Sequence, residues 1–315
     1  MDPFCAAIDW GTSHFRIWLV ASDGTVLGER RSGEGMNSAA ESGFKAIMET
    51  HLQDMEAPSD LPVIICGMAG SRQGWREARY LRLPAQLSGI FDSAVSVDDP
   101  HRDIRILPGL AQDEAARPDV MRGEETQLLG CFSSTDASGW ACLPGTHSKW
   151  VCIKSGRVTR FSTFMTGELF NLFARKSILR HAVSGIDRCD PHSASFKQAL
   201  FEAAENPASV SSLLFSVRAG QLLHGSSVSN GYERLSGLMI GWEIAGARAA
   251  FGTVEPLHLI ASGHLFEIYR AALQHLNIHA TGADADGAVL KGLIAGAQRF
   301  WSADDRRRHY GQAKV

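Results

Sequence analysis

A three-strand pattern occurs twice in this chain, and few folds accommodate it. Near the start an apolar run, Ala6-Ala7-Ile8, ends at Asp9. Gly11-Thr12 makes a turn, Phe15 to Val20 reads as a second strand, Asp23-Gly24 turns again, and a third strand begins at Thr25. At mid-chain Trp140 to Leu143 reads as a strand and Gly145-Thr146 as a turn. Trp150 to Ile153 is then a second strand, Ser155-Gly156 a turn, and Val158 to Phe164 a third strand. Glycine and small polar residues at the bends, with apolar runs between, are the signature of antiparallel meanders. A serine follows each Gly-Thr pair within two residues, Ser13 and Ser148. Two meanders sharing one turn, one opening each half, predict two domains of the same architecture.

Helical periodicity fills much of the remainder. Leu265, Ile268, Tyr269, Ala272, Leu273 and Leu276 follow the i, i+3, i+4 spacing of a core-facing stripe. So do Val289, Leu290, Leu293, Ile294, Ala297 and Trp301, and so do Leu169, Leu172 and Phe173. Val63 to Cys66 is a short continuous apolar run, expected as a buried central strand. Strands alternating with helices predict an α/β fold of mixed sheets flanked by helices. The 315 residues suit two domains. The segment Pro100 to Met121, punctuated by Pro108, Gly109 and Pro118, is read as the crossing between them, giving domains over 1–110 and 111–315.

Composition removes several classes of function. A net charge of -3 gives no reason to expect a nucleic-acid or anionic-membrane partner. The one basic run, Arg306-Arg307-Arg308, follows Asp304-Asp305 and reads as a solvated terminus. No apolar stretch reaches the roughly 18 residues of a membrane helix, and the first residues lack the features of a signal peptide. The six cysteines form no CxxC pair and no zinc-type grouping. Cys66, Cys142 and Cys152 read as small core residues of a reducing compartment, hence a cytoplasmic protein.

Three passages carry chemistry. In Asp9-Trp10-Gly11-Thr12-Ser13, with Arg16 beyond, a carboxylate ends a buried strand and a glycine-led hairpin follows. Glycine admits close approach of a phosphate, and the turn N–H groups with the Thr12 and Ser13 hydroxyls supply donors. Asp9 suits Mg²⁺ held through water, because Mg²⁺ retains several waters and takes few carboxylates. An ordinary hairpin with Asp near its turn is the plain alternative. Leu143-Pro144-Gly145-Thr146-His147-Ser148-Lys149 is the second such hairpin, where His147 either donates to phosphate or merely ends the turn. It is not a P-loop: it holds one glycine and leads into a strand rather than a helix. In Ile260-Ala261-Ser262-Gly263-His264 a strand ends in small residues and a helix begins, leaving room for a base or ribose against backbone.

Together, in this order, the three passages resemble the phosphate-1, phosphate-2 and adenosine segments of the actin-like ATPase superfamily. The C-terminal run Asp286 to Ala295 is similar to the closing helix of sugar kinases in that superfamily. Gly67 to Trp75, Met121 to Gln127, Leu143 to Trp150 and Met165 to Leu169 together resemble the 2-dehydro-3-deoxygalactonokinase family. The resemblance implies two ribonuclease-H-like domains with an interdomain nucleotide cleft. It also implies ATP and Mg²⁺ as cofactors, and phosphorylation of the 6-hydroxyl of 2-dehydro-3-deoxy-D-galactonate in galactonate and galactose catabolism. Related carbohydrate kinases carry their base in a Gly-Asp stretch opening a helix. Gly123-Glu124-Glu125-Thr126 occupies that place here, with Glu for Asp, so Glu124 and then Glu125 are expected as base. Two acids in a first helical turn also simply favour the helix dipole.

Glycerol-kinase-like relatives place an Arg-Glu pair where Arg72-Gln73 stands, implying a substrate-binding turn. A sugar acid adds a carboxylate, which arginine captures bidentately, so Arg72 and Arg122 are the expected carboxylate binders. Trp75 either covers the sugar or packs at the domain edge, and packing is the expected role. Thr166 is expected as a helix N-cap with Glu168 nearby. The rival readings are a kinase for another sugar or sugar acid, and a non-catalytic nucleotide- or sugar-sensing module. A sensor of that kind would usually carry an appended DNA-binding segment, for which the residues before the first strand leave no room. The oligomeric state stays open.

Overall fold

The computed structural model describes residues 1–132 and 134–302, so Arg306-Arg307-Arg308 lies outside the described residues. The chain divides into two compact units. The first comprises Met1–Ala137, Lys154–Thr159 and the chain from Ala285 onward; the second comprises Ser138–Ile153 and Arg160–Asp284. Neither is a continuous segment.

The first unit opens on the meander β1 (Cys5–Trp10), β2 (Phe15–Val20) and β3 (Val26–Ser32). Helices α1 (Met36–Ser42) and α2 (Phe44–Asp54) lead to β4 (Val63–Gly67). Then come β5 (Leu81–Arg82), β6 (Ala85–Gln86), α3 (Gly89–Asp92), β7 (Val95–Val97), β8 (Ile104–Ile106), β9 (Leu110–Gln112), β10 (Asp119–Met121) and α4 (Glu124–Cys131). The main sheet has the order β3-β2-β1-β4-β8-β7, with β4 parallel to both β1 and β8. As expected, β4 is central and wholly buried. The segment expected to cross between halves instead carries β8, β9 and β10. Pro108, Gly109 and Pro118 punctuate short strands there, and β9 pairs with both β5 and β10.

Alternation along β1 and β2 sends Ile8, Trp10, Phe15 and Ile17 to a core shared with Ile47, Met48 and Leu52 of α2. Each such fully buried side chain contributes about 1.5–3 kcal/mol. Trp75 packs at the edge of this core, its ring 6.1 Å from Phe44 and 6.4 Å from Trp10.

The second unit repeats the plan with β11 (Gly139–Leu143), β12 (Ser148–Lys154) and β13 (Arg157–Phe164). Arg157 and Val158, at the start of β13, pair with β6 within the first unit. A helical stretch follows: α5 (Thr166–Lys176), α6 (Arg180–Val183), α7 (Ala194–Glu205), α8 (Val210–His224) and α9 (Val228–Phe251). Then come β14 (Leu257–Ala261), α10 (Gly263–His275) and β15 (Ala280–Asp284). Strand β11 is antiparallel to β12 and parallel to β14, and β14 is parallel to β15. The order β13-β12-β11-β14-β15 therefore matches β3-β2-β1-β4-β8 strand for strand. The repeated meander is a repeated sheet.

Helix α10 buries Ile268, Tyr269, Ala272 and Leu273 of the expected stripe, while Leu265 in its first turn is exposed and Leu276, just past its end, is half-buried. Helix α5 departs from prediction. Leu172 is 46% exposed, and the packing face is Leu169, Phe170, Phe173 and Ala174. The helix lies against the cluster formed by α6 to α9 along that rotated edge.

The last helix, α11 (Ala285–Trp301), belongs to the first unit and buries Val289, Leu293, Ala297 and Trp301 as expected. It packs on α4 through glycine. A Cβ at Gly292 would lie 2.1 Å from the Thr126 carbonyl oxygen, so no other residue allows this approach. The contact fixes where the first turn of α4 sits.

Candidate functional site

Chemistry-bearing residues gather at one place in each unit. In the first, Asp9 lies one residue before the end of β1, paired in register with Arg16 on β2 and Cys66 on β4. The Cys66 thiol donates to Asp9 Oδ1 at 3.7 Å. Burial raises the Asp9 carboxyl above the ordinary range; nearby Arg16 opposes this, and Asp286 and Glu124 add to it. Arg16 is engaged by Asp286, which also takes Arg31 Nη1 at 2.9 Å. The turn beyond Asp9 closes through the Gly11 N–H to the His14 carbonyl at 2.8 Å and leaves Thr12 and Ser13 exposed.

Gly123 caps α4, and Glu124 and Glu125 form its first turn. The two acids sit in different surroundings. Glu125 is fully buried, and both its oxygens accept from the Gly123 N–H, at 2.9 and 2.8 Å. Burial, and then the neighbouring Glu124, push its carboxyl up to about 8. Glu124 is partly accessible, and its Oε2 accepts from the Arg122 N–H at 2.9 Å.

Arg122 donates from Nη2 to the Ala78 carbonyl at 2.8 Å, and its guanidinium lies over the Tyr80 ring. Its Nε and Nη1 are buried and have no hydrogen-bond partner among the described residues. Gly70 is its close neighbour: a Cβ there would stand 2.7 Å from Nη1. Arg72 and Gln73 follow on the same turn and are exposed. Of the two expected carboxylate binders, the structure thus brings Arg122 to the acid pair and leaves Arg72 on an open turn.

In the second unit the hairpin Gly145–Ser148 is braced from behind. Ser148 is fully buried, and its hydroxyl lies 3.2 Å from the Tyr269 hydroxyl and 3.4 Å from the Gly145 nitrogen. The buried hydroxyl turns inward and holds the turn. Thr146 and His147 are exposed. His147 Nε2 pairs with Glu168 Oε2 at 2.5 Å, and the Glu168 N–H donates to the Thr146 carbonyl at 3.0 Å. Gly167 presses on the hairpin backbone, where a Cβ would stand 2.5 Å from the Gly145 carbonyl oxygen.

Thr166 is not the N-cap expected. Met165 holds that position, and the Thr166 side chain bonds instead to Glu243 of α9. Ser262 donates to Asp284 Oδ1 at 2.6 Å where α10 starts at Gly263. A cavity of about 250 Å³ opens beside these elements, lined by Gly145, Thr166, Phe170, Tyr232, Ile268 and Tyr269 among others. Its apolar walls with few polar groups suit a planar ring system.

Sequence reasoning missed Glu243, Tyr269 and Asp286. A signal for Glu243 exists: it is an acid set among the buried small and apolar residues of α9, beside Ile244. Among the described residues no helix is long and apolar enough to cross a membrane, and no group of three His, Cys, Asp or Glu forms a metal cage.

Two units built on the same meander, each offering a glycine-led hairpin, define an α/β protein of the actin-like ATPase and sugar kinase class. The family model for 2-keto-3-deoxy-galactonokinase matches residues 9–295, and the chain belongs to that family. A probable 2-dehydro-3-deoxygalactonokinase of Rhizobium meliloti is 53% identical over 299 residues, covering 95% of this chain and 98% of the relative. The 2-dehydro-3-deoxygalactonokinase of Escherichia coli is 34% identical over 287 residues, covering 91% and 95%. A crystal structure from Sinorhizobium meliloti, of a protein assigned the same activity, superposes with TM-score 0.92 at 53% identity over 95% of this chain and all of that one. The activator of 2-hydroxyisocaproyl-CoA dehydratase from Clostridium difficile, solved with ADPNP, shares the fold at TM-score 0.50 and 10% identity, covering 99% and 98%.

Proposed function

We propose that this protein is a cytoplasmic, ATP-dependent kinase that phosphorylates the 6-hydroxyl of 2-dehydro-3-deoxy-D-galactonate in galactonate catabolism. The observation that carries the reading is Arg122. Its Nε and Nη1 groups are buried beside the acid-bearing turn of α4 and have no acceptor among the described residues. Leaving such donors unmade is costly, and a substrate carboxylate is the acceptor they lack. Family membership supplies the substrate class.

In this reading Glu124 takes the proton from the 6-hydroxyl as its oxygen attacks the γ-phosphorus, and ADP leaves. Glu125 is the poorer base, because a carboxyl pushed up to about 8 already carries a proton at neutral pH. Its part is to hold the Gly123 N–H and so the start of α4. Arg72 and Gln73 would edge the sugar-acid pocket. Gly11, Thr12 and Ser13 in the first unit, and Gly145, Thr146 and His147 in the second, would receive phosphate oxygens. Ser262 and Gly263 would border the adenosine, with its base in the 250 Å³ cavity.

Asp9 fits Mg²⁺ through water. It is a partly accessible carboxylate near a strand end whose hydrogen-bond donor among the described residues is the Cys66 thiol. The ion would neutralise charge on the transferring phosphate.

The test is ADP release with ATP-Mg²⁺ against 2-dehydro-3-deoxygalactonate, its gluconate epimer, galactonate, galactose and glycerol. Turnover with the first, weaker turnover with its epimer and none with the neutral sugars is expected. Turnover confined to a neutral sugar would overturn both the substrate and the role of Arg122.

A further inference from the structure

Glu243 lies in the middle of α9 and is 3% exposed. Its Oε1 accepts from the Trp150 indole at 2.8 Å, and its Oε2 accepts from the Tyr269 hydroxyl at 2.6 Å. The side chains of Thr166 and Ser148 also bond to it. The donors come from β12, from α10, and from the first turn of α5. A buried carboxylate is expensive in a protein core unless its oxygens are well supplied with donors, as these are. A leucine or methionine would fill the same space for packing alone. What the acid adds is a fixed point to which separate elements are tied.

Those elements make the nucleotide side of the second unit. Ser148 and Tyr269 connect Glu243 to the Gly145 turn. Thr166 connects it to the turn that carries Gly167, packed on the Gly145 carbonyl, and Glu168, bonded to Thr146 and His147. Thr166 and Tyr269 also line the 250 Å³ cavity. One carboxylate therefore ties the hairpin, the cavity wall and the start of α5 into a single frame.

We propose that Glu243 is a positioning residue for nucleotide binding: through Tyr269, Ser148 and Thr166 it holds the Gly145–Ser148 hairpin in the geometry that receives the ATP phosphates. The proposal rests on the reading of that hairpin as a phosphate site. In Glu243→Gln the amide NH₂ replaces an oxygen that accepted from a hydroxyl, so Tyr269 must turn from donor to acceptor and the chain of hydroxyls behind the hairpin re-orders while the shape of the core is kept.

The experiment measures ADP affinity by calorimetry, KM for ATP and for the sugar acid, and thermal melting, for Glu243→Gln, Tyr269→Phe and Gly145→Ala. Glu243→Gln should weaken ADP and raise the ATP KM about tenfold or more, with the sugar-acid KM within twofold of wild type. Tyr269→Phe should move the same constants in the same direction by less, and it decides the matter if Glu243→Gln does not fold. A lower melting temperature with nucleotide constants at wild-type values in both variants would overturn the proposal, because it would leave Glu243 a purely structural role. Gly145→Ala separates the two levels. The nearest heavy atom to its added Cβ is the His147 nitrogen at 4.0 Å, so it folds normally. Unchanged ADP affinity in Gly145→Ala removes the phosphate reading of the hairpin and the proposal with it. Weakened affinity there, alongside wild-type values in the other two, removes the role of Glu243 alone.

Discussion

The Arg122 guanidinium lies over the Tyr80 ring, its central carbon 4.4 Å from the ring centroid. The ring holds the guanidinium in place, and Nε and Nη1 have no partner among the described residues. Arg122→Ala should therefore raise the KM for the sugar acid far more than for ATP. Hydrogen bonds to charged groups are worth about 1.5–3 kcal/mol, or on the order of ten- to a hundredfold in KM. Arg122→Lys should recover little, since lysine offers a point charge rather than a planar fork. Steady-state kinetics with each substrate varied in turn checks this, and equal effects on both KM values would count against it.

Glu124→Gln and Glu125→Gln should separate cleanly although the residues are adjacent. Removing a general base typically lowers turnover by about 10²–10⁴-fold, so Glu124→Gln should lose kcat with ADP affinity retained. Glu125→Gln should keep kcat within several-fold. The comparison of kcat in the two variants, beside ADP binding by calorimetry, is the check.

Glu125 also predicts a pH dependence of stability. Its carboxyl stands at about 8 in the folded protein against an ordinary 4.5. Between those values the folded chain binds the proton and the unfolded chain releases it, so stability falls as pH rises. The stabilisation is complete below about pH 4.5 and is lost by the time pH has passed 8. Denaturant melts of wild type and Glu125→Gln across pH 5 to 8.5 should show this component of the decline in wild type only.

Gly292→Ala places a methyl 2.1 Å from the Thr126 carbonyl oxygen, so α11 must move away from α4. Overpacking of this kind costs about 1–3 kcal/mol. Because α4 carries Glu124 in its first turn, kcat should fall with stability. Thermal melting and turnover measured on the same preparation would show whether the two losses go together.

Gly167→Ala acts on the other unit, where its methyl would meet the Gly145 carbonyl at 2.5 Å and push the hairpin outward. The expected result is a raised KM for ATP with the sugar-acid KM unchanged. Unaltered ATP kinetics in a folded variant would show that the hairpin tolerates the shift.

The sequence alone determined the paired meanders, because alternation and turn residues act locally: each strand and bend is specified by neighbours a few residues away. The buried run of β4, the stripes of α10 and α11, the Asp9 strand end and the two glycine-led turns were legible for the same reason. What only the tertiary structure decided depends on which distant residues meet. The 100–121 segment became strands because β5 and β4 offered partners that composition does not reveal. Ser148 turned inward because Tyr269 and Glu243, far along the chain, supply its hydrogen bonds. Glu124 and Glu125 are indistinguishable as adjacent letters. Helical geometry buries Glu125 and leaves Glu124 partly accessible, and burial then pushes the Glu125 carboxyl up.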